Sequence, residues 1–139
     1  MRRGFEVIDH TADVGIIAYG ADVEELFSNA ALGLVNLITD PESIAQRLRI
    51  DLEVSSDDTD SLLVEWLNEL IYFFDAEHIL FNRFDIGNLT HNQLKATCHG
   101  ESFDPTKHKI KIGVKAATYH MLSVDKNDAG YKARIIFDI

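Results

Sequence analysis

Cysteine is nearly absent: Cys98 is the one thiol in 139 residues. It has no partner for an internal disulfide and no second thiolate for a metal site, so a half-buried strand cysteine is its ordinary reading. Prolines number two and glycines eight, which leaves little room for a long linker. No apolar run approaches the length of a membrane span. The opening "MRRGFEVIDH" is basic for two residues and then turns acidic and strand-like, without the apolar stretch of a signal peptide. These absences point to a cytoplasmic protein with no membrane partner. The phosphate-cradling motifs G-x-x-x-x-G-K-[ST] and G-x-G-x-x-G are missing, as is the nucleophile motif G-x-S-x-G. Basic residues are few as well. Thirteen Lys and Arg stand against 23 Asp and Glu, for a net charge of −10. Such a surface repels phosphate backbones, so no direct nucleic-acid partner is expected.

What is present suits a packed core. Hydrophobic residues make up 46% of the chain, with no internal repeat and no low-complexity tract, and residues 1–139 read as a single domain. Two segments have helical periodicity. The first opens at Asp22 with Glu25 three residues on, an acidic analogue of a capping box. Val23, Leu26, Phe27, Ala30, Ala31, Leu34, Val35 and Ile38 then form an apolar stripe. Asp40-Pro41 stops it, because the residue before proline avoids helical angles. The second begins after "SSDDTD", with Leu62, Leu63, Trp66, Leu67, Leu70, Ile71 and Phe74 on the stripe and Asn68, Glu69 and Asp75 off it. At that spacing Trp66 belongs to the core rather than to a stacking platform.

The remaining segments alternate as strands do. They are Phe5 with Val7; Val14, Ile16 and Ala18; Leu48 to Val54; Ile79 to Ile86; Gln93 to His99; Lys109 to Val124; and Tyr131 to Phe137. In "KHKIKIGVK" the lysines alternate with Ile110 and Ile112, as the solvated face of a strand would. "DKNDAGY" is a hairpin turn signal. This order predicts an α+β fold in two layers, a mixed or mostly antiparallel sheet with two amphipathic helices packed on one face.

Chemistry concentrates in three places. In "DHTADVGIIAYG", Asp9, His10 and Asp13 fall in the loop between the first two strands. Aspartates in short loops often serve turn geometry alone. Asp13, however, directly precedes an apolar strand, and a rigid rim suits a metal ligand or a general base. The sequence closes "RIIFDI", which sets Asp138 beside the carboxylate of Ile139. Were the last strand to pair with the second, these groups would meet Asp13. A frayed end is the alternative. Third, "VKAATYH" predicts strand alternation, Lys115 with Tyr119 and Thr118 with His120. A lysine near a histidine suits acid–base or phosphate work, and an ordinary polar strand edge fits equally. The other histidines lack metal-ligand spacing.

Together, "DHTADVGIIAYG", "LFSNAALGL", "LLVEWLNELIYFFD", Gly100-Glu101 and "VKAATYH" closely resemble the archease family, in order and over nearly the whole chain. Ala117 stands where the family often has a bulkier residue. The resemblance implies a small α+β protein that is not itself an enzyme. It implies a protein cofactor of the RtcB-type RNA ligase of tRNA splicing, promoting guanylylation and repeated turnover of the ligase and broadening its nucleotide use. It also implies a divalent-cation site, calcium foremost with magnesium or manganese as alternatives, on Asp13, Asp138 and Ile139. His10, Lys115 and His120 carry over as candidate functional or partner-contact positions. A small metal-dependent hydrolase, or a chaperone or scaffold without a metal, are the competing readings.

Overall fold

The computed structural model describes residues 4–9 and 13–139, with Asp9 in main chain only. Strands β1 (Phe5–Asp9) and β2 (Asp13–Gly20) lead into helix α1 (Val23–Ile38). After a short 3-10 turn at Pro41–Ser43 come β3 (Leu48–Ser55) and helix α2 (Thr59–Glu77). Five strands follow: β4 (Ile79–Leu89), β5 (Gln93–Ser102), β6 (Ala116–Ala117), β7 (Ser123–Asn127) and β8 (Gly130–Asp138).

The α+β class is as expected, with the strands shared between two antiparallel sheets. One runs β1-β2-β8-β6, with β7 on the same edge of β8 as β6; the other runs β3-β5-β4. Each helix lays its apolar stripe into a core common to both sheets. Ile16, Phe27, Trp66, Leu94 and Phe137 are buried there completely. Trp66 also donates its indole N–H to Phe27 O at 3.0 Å, tying α2 to α1. Its polar atom is thus satisfied inside the core.

Local chemistry sets the helix ends. Asp22 accepts Glu25 N–H at 2.8 Å, and the Glu25 carboxylate returns to Ala21 N–H at 2.9 Å. Helix α1 ends ahead of Asp40-Pro41, with Thr39 already extended. Helix α2 starts inside the "SSDDTD" run rather than after it, because Asp58 and Ser61 cap each other's amides.

Two further expectations are corrected. Cys98 is fully rather than half buried, and burial pushes its thiol up to about 12. The segment from Lys109 to Val124 is not one strand; only Ala116–Ala117 and the start of β7 pair. Its first half bonds a helix end instead. Lys111 N–H donates to Ile38 O at 2.7 Å, and Thr39 Oγ1 donates to Lys109 O at 2.7 Å. The "KHKIKIGVK" lysines therefore lie on an irregular strap that satisfies the carbonyls α1 leaves open at its C-terminus. Past β6, Met121 adopts a left-handed conformation (φ 54°), which breaks any extended run.

Candidate functional site

Strand β8 lies between β2 and β6, and this placement gathers the candidate residues. Asp13 at the start of β2 is in register with Asp138 at the end of β8. Ala116 faces Asp138 from the other side. Lys115 N–H donates to Asp138 O at 2.8 Å, so "VKAATYH" reaches the same corner through its main chain. Asp13 is half-buried, while Asp138 and Ile139 are exposed.

The Asp13–Asp138 pair is electrostatically unusual. Residues directly opposite on antiparallel strands project to one face of the sheet, and like charges so placed repel. A divalent cation would turn that repulsion into attraction. The oxygen groups at this corner are the carboxylates of Asp13 and Asp138, with the main chain of Ile139 adjacent. All are hard oxygen groups, the kind that calcium and magnesium take. Among the described residues, no three His, Cys, Asp or Glu side chains gather as a metal cluster. Two carboxylates alone make a sparse site, and their chemistry fits a loosely held, partly hydrated ion.

The other candidates divide. His10 lies outside the described residues. Lys115 is exposed beside Asp138. His120 is not on a strand with it. It sits in an exposed turn, its N–H on Thr118 Oγ1 at 3.3 Å. Thr118 itself is pinned to β8, its N–H and hydroxyl both on Ile136 O at 3.0 and 2.8 Å. Tyr119 and Met121 flank His120 and are 56% and 47% exposed.

Two groups escaped sequence reasoning. Asn68, noted only as lying off the α2 stripe, bonds Ala117 through both ends of its amide. Glu101, named only in the pair Gly100-Glu101, is buried with His108. Its carboxylate accepts from Lys107 Nζ at 2.6 Å, Ala45 N–H at 2.7 Å and His108 Nε2 at 2.8 Å. The Lys107 bond, then that of Ala45, hold Glu101 at about 2, far below its ordinary 4.5. His108 Nδ1 accepts Asp104 N–H at 2.9 Å, which assigns the Nε2–H tautomer. Both ring nitrogens are engaged, so His108 anchors the strap rather than serving as a base. A buried acid followed seven residues later by histidine gives no periodic signal.

Comparison with known proteins bears on the family and the fold. The model of the Archease protein family matches residues 5–139. Protein archease of Sulfolobus acidocaldarius is 40% identical over 97% of this chain and 98% of its own length. That of Methanosarcina mazei is 37% identical over 99% and 97%. A solution structure of a Methanobacterium thermoautotrophicum protein superposes with a TM-score of 0.85 at 38% identity, covering 99% of this chain and 100% of that one. A crystal structure of an archease, possible chaperone, from Thermotoga maritima shares the fold with a TM-score of 0.68 at 22% identity, covering 95% and 94%. The chain belongs to the archease family.

Proposed function

We propose that this protein is an activator of an RtcB-type RNA ligase, acting in the cytoplasm as a protein cofactor and not as an enzyme. In this reading it promotes guanylylation of the ligase, supports repeated turnover and widens the nucleotides the ligase accepts. Membership of the archease family supports it. The observation that carries the chemistry is the Asp13–Asp138 register pair. Asp13, Asp138 and Ile139 would hold a divalent cation, calcium foremost, with magnesium or manganese as alternatives. When bound, that ion offsets charge on neighbouring phosphates. The protein's own part is to present the carboxylates on the rigid rim of a sheet and to keep Lys115 alongside. His10 and His120 are candidate contacts to the ligase. A net charge of −10 suits docking at the basic channel of an RNA-binding partner, without contact to RNA.

The test follows covalent ligase–GMP formation with GTP and manganese, using wild type, Asp13→Ala and Asp138→Ala. Strong stimulation by wild type, lost in both folded variants, is the expected result. Stimulation surviving both changes removes the cation from the mechanism. A second reading, a chaperone-like scaffold, draws on the exposed Tyr119 and Met121. It predicts that Tyr119→Ser and Met121→Ser, not the aspartate changes, abolish stimulation.

A further inference from the structure

Asp138 is only as well placed as the strand that carries it. On one side, register pairs from Asp13↔Asp138 to Gly20↔Tyr131 bind β8 to β2. On the other, Phe137 and Asp138 face β6, which is two residues long. A strand that short has too few ladder bonds to hold its own position.

Asn68 supplies what β6 lacks. From α2 its Nδ2 donates to Ala117 O at 3.2 Å, and its Oδ1 accepts Ala117 N–H at 2.8 Å. The side-chain amide thereby stands in for a neighbouring strand at Ala117. With Ala117 held, Lys115 N–H reaches Asp138 O and Thr118 N–H reaches Ile136 O, at 2.8 and 3.0 Å. Helix propensity does not account for an asparagine here, since it ranks low in helix interiors. Nor does burial, because Asn68 is half-buried and lies beside the apolar stripe.

We infer that Asn68 is a positioning residue for the cation corner: by clamping Ala117 it presses β6 onto β8 and fixes Asp138 opposite Asp13. The inference rests on the cation reading above. Carboxylates on separate strands bind one ion well only when their backbones are held to a fraction of an ångström. Asn68 connects that requirement to a core-packed helix whose Trp66 and Leu67 are fully buried.

The test is calcium titration by calorimetry on the full chain: wild type, Asn68→Ala and Asn82→Ala. Asn82 is the matched control. Its Nδ2 makes a comparable pair of bonds, to Pro41 O at 2.9 Å and Ile44 O at 2.7 Å, from the other sheet. Asn68→Ala is expected to weaken calcium binding about tenfold or more, the usual cost of losing support behind a ligand, with Asn82→Ala near wild type. Amide exchange at Lys115 is expected to quicken in metal-free Asn68→Ala. Asn68→Gln, which keeps the amide but displaces it by a methylene, serves in the same way should the alanine variant not fold. A folded Asn68 variant with wild-type affinity overturns the inference. So does an equal loss in Asn82→Ala, because general destabilisation then explains both. A wild type that binds neither calcium, manganese nor magnesium overturns the cation reading and this inference together.

Discussion

Asp13 and Asp138 are 125 positions apart in the sequence and directly opposite each other in the sheet. Removing one charge from a like-charged cross-strand pair relieves repulsion. Asp138→Asn should raise metal-free stability by about 0.5 kcal/mol. On the proposed cation reading, calcium should raise the Tm of the wild type and leave that of Asp138→Asn unchanged. Thermal unfolding with calcium and with chelator checks both halves.

Glu101 contributes to acid stability. Its carboxyl sits at about 2 when folded against an ordinary 4.5, so the unfolded chain takes up its proton first as pH falls. Its stabilising contribution is complete above pH 4.5 and is lost as pH drops towards 2. Glu101→Gln should lower stability at neutral pH and flatten the stability–pH curve over that window. Urea unfolding across the acid range measures it.

Asp58 caps α2 through Ser61 N–H at 2.8 Å, and that bond lowers its own carboxyl below the ordinary value. Asp58→Ala should lower stability, as the loss of a helix cap does. Chemical denaturation is sufficient to see it.

Gly100 permits β5 to press on β4. A Cβ there would stand 1.8 Å from Leu80 O, a main-chain atom that cannot swing away. Gly100→Ala should destabilise by about 3 kcal/mol or more, the upper range for overpacking. It should also disturb the neighbouring Glu101–His108 pair, read as a shift in the His108 ring resonances.

The helices were legible in the sequence because capping and apolar periodicity are local. Asp22, Asp40-Pro41 and the Trp66 stripe all behave as their spacing predicts. The turn between β7 and β8 was equally plain, since Asn127 and Gly130 suit it. The strap from Lys107 to Lys115 was not. Its lysines alternate with isoleucines as a strand would, yet its partners are Thr39 and Ile38, far away in sequence. Alternation reports exposure on two sides and not what pairs with the main chain. The candidate site was half legible. Asp13 and Asp138 stand out by composition, but their meeting depends on β8 choosing β2. Asn68 and the Glu101–His108 pair are single polar residues whose partners come from other elements, and no spacing rule finds those.

Under the proposed cation reading, the β2–β8 pairing also ties assembly to occupancy. Ladder bonds between segments so distant in sequence close late, after the loop entropy between them has been lost. A collapsed but incompletely paired chain therefore has Asp13 and Asp138 apart and offers an ion no joint grip. Calcium that prefers the closed sheet adds its binding free energy to the native state alone. Ion uptake would thus act as a proofreading signal, reporting that β2 and β8 have found each other.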